Sequence, residues 1–163
     1  TLYLSNIRFD THSDTETLLR LYQKYGVSAL SMLDGMFAFC IYDKTKKTIF
    51  FARDRAGKKP LFIYQKNGSL AFASELNTIA SQIPLDIDDD MIEAYLRCGF
   101  LPHHGSPYKG IASLPAASWR EYRLDDMSAT DGAYFDILEL FKAKKQWRYH
   151  CFLYSLGLMP STL

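Results

Sequence analysis

The stretch MFAFCIY at residues 36–42 decides the fold class, because it is apolar at every position and no longer than a single strand. Alternate side chains of a strand point to opposite faces, and here both sets are apolar: Phe37, Phe39 and Ile41 against Ala38, Cys40 and Tyr42. A strand of this kind is expected to be covered on both faces. The stretch therefore predicts the inner sheet of a layered fold.

Runs rich in aromatic and β-branched residues predict further strands, at residues 48–52, 61–64 and 70–73 and near 118–124. Polar stretches separate them and are typical of turns. Asn67-Gly68 is a hairpin signal, because both residues tolerate the positive φ angles of a tight turn. The middle of the chain is therefore predicted to be rich in short strands.

Helices are predicted on both sides of these strands. Residues 13–16 (Ser-Asp-Thr-Glu) have the form of a capping box, apolar residues follow at helical spacing, and Gly26 suits a C-terminal cap, so a helix is expected over about 15–25. Further helices are expected at 27–33 up to Asp34-Gly35, from Ser74, from Asp88 or Asp89 to Gly99, and over 134–145. This order predicts helices stacked on sheets, an α+β fold.

The composition narrows the classes of partner. With 19 basic and 18 acidic residues, the net charge of +1 argues against nucleic acid or an anionic membrane as the main partner. No apolar stretch approaches the roughly 18 residues of a membrane span. The three cysteines, Cys40, Cys98 and Cys151, are odd in number and form no CxxC pair, which favours a reducing, cytoplasmic setting.

Three residue groups resemble catalytic or metal-binding motifs, and each has a simpler interpretation. Residues 53–60 (RDRAGKKP) look like a phosphate loop, but Lys59 stands where a Walker motif needs Ser or Thr, so a charged connection between strands is preferred. Residues 12–14 (His-Ser-Asp) are consecutive and cannot converge as a triad. The pair His103-His104 and the cysteines lack metal-site spacing, so no metal site is predicted.

Asp14 is the remaining candidate for a binding residue. An Asp at the start of a helix can bind the ammonium group of a ligand. Its ordinary role at such a position is to cap the free N–H groups and to compensate the helix dipole. Chemistry alone favours the ordinary role.

Four segments follow one another at short intervals: THSDTE (11–16), MLDGMFAF (32–39), ARDR through KPL (52–61) and FASEL (72–76). This series resembles the glutaminase domain of the glutamine-hydrolysing asparagine synthetases. The resemblance continues through YLRCGF (95–100), YKGI (108–111) and LP (114–115). It covers about residues 7–126.

The resemblance implies a class II glutamine amidotransferase domain, a four-layer αββα sandwich of the amino-terminal-nucleophile hydrolase type. In that family an amino-terminal cysteine attacks the side-chain amide of glutamine, and Asp14 matches the aspartate that binds the substrate's α-amino group. The ammonia passes to a second domain, where ATP and Mg²⁺ serve the amidation of aspartate. The resemblance thus implies glutamine as the substrate here, no cofactor within this chain, and a homodimer as an option for the full-length enzyme.

The chain departs from the family pattern at both ends. It begins with Thr1, which is not predicted to be a nucleophile, and the family's catalytic cysteine, glutamine-binding arginine and Asn-Gly oxyanion segment are expected upstream. The fold is therefore expected to be incomplete at its N-terminus, and the chain by itself inactive. The family's usual Pro-Gly near residue 116 reads Pro-Ala-Ala at 115–117.

The resemblance divides the chain into three parts. Residues 1–126 are assigned to a partial glutamine amidotransferase domain, and residues 127–145 to a linker toward a synthetase domain. Residues 146–163 are assigned to an aberrant tail, because FLYSLGLMPS (152–161) stands where the ATP-binding Ser-Gly-Gly-x-Asp-Ser motif is expected. Two alternatives stay open: a related amidotransferase that aminates another acceptor such as a sugar, and a non-catalytic remnant.

Overall fold

In the computed structural model, which describes residues 9–102, 104–139 and 142, two helical segments precede the first strand and two helices lie between the fourth and fifth strands. The helices are α1 (Asp14–Tyr25), a 3₁₀ helix (Gly26–Met32), α2 (Leu76–Ala80) and α3 (Asp89–Cys98). The strands are β1 (Ala38–Asp43), β2 (Thr48–Arg53), β3 (Phe62–Lys66), β4 (Ser69–Ala73), β5 (Ile111–Ser113), β6 (Ser118–Arg123) and β7 (Ala129–Ala133). None of the described helices is long and apolar enough to cross a membrane.

The strands of the described residues form two antiparallel sheets. One has four strands in the order β1-β2-β6-β7, and the other has three in the order β4-β3-β5. The predicted hairpin is confirmed: Asn67 and Gly68 connect β3 to β4, and both have positive φ angles, of 51° and 76°. Helices combined with antiparallel sheets agree with the predicted α+β class.

Local capping residues set the ends of the two longer helices. The Ser13 side chain accepts a bond from within the first turn of α1, and Gly26 ends this helix with a φ of 57°. Asp88 caps the start of α3 in the same way, and Gly99 ends it in the left-handed conformation. Both helices were predicted from these residues and are confirmed.

Both faces of the four-stranded sheet are covered by apolar side chains. On one face, Tyr22 and Leu30 from the helical segment pack against Ile41, Phe50 and Ala52, and Phe37 and Phe39 join them. This helix-facing cluster agrees with the prediction that residues 37, 39 and 41 share a covered face.

A second cluster joins the two sheets. It contains Phe51 and Tyr122 from the four-stranded sheet and Ile63 from the other, with Ala38 and Cys40 at its margin. The expected coverage of residues 38 and 40 is confirmed, whereas that of Tyr42 is wrong. Tyr42 is 54% exposed near the end of β1 and does not join the cluster between the sheets.

A third cluster covers the outer face of the three-stranded sheet. Tyr64 and Ile111 pack there against Ile79 of α2. Because alternate residues of β3 point to opposite faces, Ile63 joins the cluster between the sheets while Tyr64 joins this one.

Two strands were not predicted. β5 has only three residues, and β7 (ATDGA) has no apolar alternation, since it lies at the edge of its sheet. Gly132 of β7 pairs with Trp119, and a Cβ atom at Gly132 would lie 3.1 Å from the indole ring, so this pairing favours glycine.

The remaining helix predictions differ from the structure in detail. The predicted second helix is a 3₁₀ helix, and α2 begins at Leu76 rather than Ser74. Within the segment predicted to be helical at 134–145, residues 137–139 and 142 are helical.

Candidate functional site

A groove of about 730 Å³ runs between α1 and β1. Its walls are formed by the first turns of α1, by residues 36–42, by the end of the charged loop and by the residue after β4: Asp14, Thr15, Leu18, Leu19, Met36, Phe37, Ala38, Phe39, Cys40, Ile41, Tyr42, Lys59, Pro60 and Ser74. β1 is an outer strand of its sheet among the described residues, so the groove follows an edge of that sheet. Most of the lining is apolar, with charged side chains at Asp14 and Lys59.

Asp14 lies on this groove at the start of α1, and its side chain is exposed. The hydroxyl oxygen of Ser13, rather than the Asp14 carboxylate, caps the helix by accepting the Thr15 N–H at 3.2 Å. Within the described part of the chain, the Asp14 carboxylate makes no hydrogen bond and no ion pair. This carboxylate, without a partner among the described residues, lies at the positive end of the helix dipole.

Glu16, in the same turn, has the opposite environment. Its carboxylate accepts the Asp10 N–H at 3.0 Å, the Thr11 N–H at 2.7 Å and the Thr11 hydroxyl at 2.6 Å. The N–H of Asp10 and then the hydroxyl of Thr11 lower the pKa of Glu16 to about 2. A capping box also requires the Glu16 side chain to accept the Ser13 N–H. This part of the prediction is wrong, because the Ser13 N–H donates to the Thr11 hydroxyl oxygen instead.

The charged loop at 53–60 is organised around a buried carboxylate. Asp54 is 1% exposed, and its oxygens accept the N–H groups of Ala56, Lys58 and Lys59, each at 3.0 Å. Burial raises the pKa of Asp54, but these donors outweigh it and hold the pKa below its ordinary value. The loop is therefore held from inside, and its end forms one wall of the groove.

Arg53 holds the same loop from the other side. Its guanidinium donates to the carbonyl oxygens of Gly57 at 2.7 Å, Lys59 at 2.8 Å and Leu114 at 2.6 Å, and to the Ser113 hydroxyl at 2.8 Å. Burial lowers the pKa of Arg53, and Asp54 opposes this effect. The interpretation of residues 53–60 as a charged connection fixed by neighbours, rather than a phosphate loop, agrees with these contacts. That Lys59 and Pro60 line the groove was not predicted.

The other candidate residues that the structure describes do not form a site. His12 is exposed and lines a separate shallow hollow with Phe9 and residues 10, 11 and 17. Burial raises the pKa of the Cys40 thiol to about 11, so it stays protonated at neutral pH. In the described ranges, no group of three or more His, Cys, Asp or Glu side chains is placed to hold a metal ion. Thr1, His103, Cys151 and the tail at 146–163 lie outside the described residues.

Known proteins match this chain over most of its length. A family described as a glutamine amidotransferase domain matches residues 1–135. A relative from Methanocaldococcus jannaschii, provisionally named a glutamine-hydrolysing asparagine synthetase, is 35% identical over 136 residues, which are 81% of this chain and 26% of the relative. The glutamine-hydrolysing asparagine synthetase 1 of Bacillus subtilis is 40% identical over 95 residues, 58% of this chain and 15% of the relative.

A third relative, the glutamine-hydrolysing asparagine synthetase 2 of Arabidopsis thaliana, is 41% identical over 78 residues, 47% of this chain and 14% of the relative. The chain therefore spans about a quarter or less of the length of these relatives. The family resemblance drawn from the sequence is confirmed by these matches.

Proposed function

Because the chain belongs to the glutamine amidotransferase domain family, we propose that it is part of a glutamine-hydrolysing asparagine synthetase and binds the glutamine from which that enzyme releases ammonia. The reaction is the hydrolysis of the glutamine side-chain amide to glutamate and ammonia, which then amidates aspartate. The proposal assigns no catalytic residue to the described part of the chain. It assigns substrate binding to Asp14.

The free carboxylate of Asp14 carries the proposal. It lies exposed on a groove, and no cation or N–H group of the described residues occupies it. An α-ammonium group suits such a carboxylate, because a charge-assisted hydrogen bond satisfies both ions. The apolar walls beside it, which include Leu18 and Phe39, suit the methylene groups of a glutamine side chain.

The packing of the sheets supports a four-layer αββα sandwich of the amino-terminal-nucleophile type as the framework of this site. Helices cover one sheet, the two sheets face each other, and α2 covers the second sheet. In this proposal the catalytic nucleophile is a residue outside residues 1–163. ATP, Mg²⁺ and aspartate likewise bind outside these residues. The enzyme works in the cytoplasm, where the full-length protein is free to dimerise.

The test introduces Asp14→Asn into the complete protein that contains these residues and compares its glutamine- and ammonia-dependent synthesis with those of the unchanged protein. Removing one charge-assisted contact costs about 1.5–3 kcal/mol, so KM for glutamine is expected to rise by about 10- to 150-fold. Ammonia-dependent synthesis is expected to stay the same, because ammonia bypasses the groove. Both rates are measured by the asparagine formed from aspartate and ATP.

Asp90→Asn is the matched control, since Asp90 is also exposed in the first turn of a helix but lies outside the groove. It is expected to leave both activities unchanged. An equal loss of glutamine- and ammonia-dependent synthesis in Asp14→Asn would contradict a binding role. Product formation with a sugar acceptor and none with aspartate would contradict the assignment to asparagine synthesis.

A further inference from the structure

We propose that Glu16 is a positioning residue, which orients Asp14 toward the ammonium group of glutamine by tying residues 10–13 to the first turn of α1. This inference rests on the function proposed above. It concerns a residue that does not line the groove and that therefore acts through its neighbours.

The first step of the argument is the number of donors that meet the Glu16 carboxylate. Oxygen Oε2 accepts both the N–H and the hydroxyl of Thr11, at 2.7 and 2.6 Å, and Oε1 accepts the N–H of Asp10 at 3.0 Å. The side chain is 15% exposed, although it lies on the first turn of a surface helix. A carboxylate with its lone pairs so engaged has little capacity left for a ligand, so its role is to hold the chain.

The second step follows the contacts from Glu16 to Asp14. The Thr11 hydroxyl donates to Glu16 and accepts the Ser13 N–H at 3.2 Å, and Ser13 in turn caps α1 through the Thr15 N–H. The chain of hydrogen bonds thus fixes the backbone on both sides of Asp14. Glu16 is the anchor of that chain, because it binds two residues that precede the helix.

Arg20 completes the anchor from the next turn of α1. Its guanidinium lies 3.1 Å from the Asp10 carboxylate and 3.5 Å from that of Glu16. Both acidic neighbours of Asp14 are therefore paired, while the Asp14 carboxylate has no partner among the described residues. Of these three carboxylates, that of Asp14 is without a partner among the described residues, and it is also the one that lies on the groove.

The experiment measures the KM for glutamine and the rate of ammonia-dependent synthesis in the complete protein that contains these residues. It compares the unchanged protein with three variants: Glu16→Gln, Asp14→Asn and the double variant. Glutamine has nearly the shape of glutamate but turns an NH₂ group toward the N–H donors, so the tie to residues 10 and 11 weakens. KM for glutamine is expected to rise roughly tenfold in Glu16→Gln, with ammonia-dependent synthesis unchanged. Glu93→Gln, at an exposed glutamate of α3 paired with Arg97, is the matched control and is expected to change neither.

The double variant separates positioning from a merely structural role. If Glu16 acts through Asp14, Glu16→Gln is expected to add little to the KM of Asp14→Asn, because coupled residues are not additive. A tenfold rise on both backgrounds, or an equal loss of ammonia-dependent synthesis, would overturn the inference. An unchanged KM in Glu16→Gln beside a raised KM in Asp14→Asn would overturn it while the proposed function stands.

If the complete protein shows no glutamine-dependent activity, the proposed function is overturned. The positioning role of Glu16 is then tested by a second measurement, on the 163-residue chain. Hydrogen exchange of the Asp10 and Thr11 amides is expected to be slow in the unchanged chain and at least tenfold faster in Glu16→Gln. Exchange at the same rate in both proteins would overturn the positioning role.

Discussion

Asp54 keeps its charge inside the protein because three backbone N–H groups of its own loop donate to it, at 3.0 Å each. The Asp14 carboxylate lies on the surface with no such donor among the described residues. Two aspartates of one chain thus have different surroundings: the carboxylate of one is held by its own loop, and that of the other has no hydrogen-bond donor among the described residues. The difference lies in the donors around each carboxylate rather than in the residue type.

Replacing Asp54 by Asn is expected to lower the free energy of unfolding by about 1.5–3 kcal/mol, because an amide accepts fewer of the three N–H groups and buries a mismatched NH₂ group. Urea unfolding of the 163-residue chain at pH 7 measures the change. Asp125→Asn serves as the control: its carboxylate is 63% exposed and pairs only with Lys47 at the surface, where such pairs contribute little. Equal effects of the two substitutions would contradict the role assigned to Asp54.

The effect of Asp54→Asn depends on pH, with a sign that follows from the lowered pKa of Asp54 in the folded protein. The stabilising contribution is complete above the unfolded-state pKa of about 3.9 and is lost as the pH falls through the folded-state value. The difference in unfolding free energy between the two proteins is therefore expected to shrink in acid. Urea unfolding repeated at pH 3 checks this, and a difference that grows in acid would refute the sign.

At the scale of single elements, the turns show which backbone conformations follow from the residue types of the turn itself. Asn67 and Gly68 have the positive φ angles that their residue types favour, and the hairpin between β3 and β4 follows from them. The turn before β6 is different. Ala117 has a φ of 56°, at a position near which the family pattern has glycine, and alanine adopts this conformation at a cost.

Ala117→Gly is therefore expected to stabilise the chain by about 0.5–1 kcal/mol, because glycine reaches a positive φ without strain. Thermal unfolding measures the shift. Ala112→Gly in β5 is the matched control, since this exposed alanine lies in a regular strand, and there glycine is expected to destabilise the chain. Destabilisation by both substitutions would show that the backbone of Ala117 is not strained.

At the scale of the whole molecule, β2 lies between two of the three core clusters. Phe50 faces the helix-facing cluster, and Phe51 faces the cluster between the sheets, where its ring meets Phe72 and Tyr122 edge-on at 4.9 and 6.0 Å. Neighbouring residues of one strand thus connect two layers of packing. Unfolding of the two layers is expected to be cooperative for this reason.

Phe51→Ala is expected to lower the free energy of unfolding by about 3–5 kcal/mol, because it leaves a cavity at a fully buried position between the sheets. Phe72→Ala, at the other side of the same contact, is expected to cost less, since that ring is 46% exposed. Denaturant unfolding followed by near- and far-ultraviolet circular dichroism measures both variants. Separate transitions for the two signals would show that the layers unfold independently.

The sequence by itself determined the elements whose signals are local. Ser13, Asp88 and Gly99 mark helix ends, Asn67-Gly68 marks a hairpin, and the two apolar faces of residues 36–42 predict a covered strand. Each of these signals depends on residues a few positions apart. The family resemblance added the candidate Asp14, which local chemistry did not favour as a binding residue.

Only the tertiary structure decided the pairings between distant parts of the chain. β5 and β7 are strands because β3 and β6 donate and accept hydrogen bonds beside them, and neither has a periodic signal of its own. Glu16 binds residues 10 and 11 rather than Ser13, since the loop before α1 brings two backbone N–H groups and the Thr11 hydroxyl within reach of its carboxylate. The groove arises in the same way, because its walls come from a helix, an outer strand and a loop that meet only when the sheets pack.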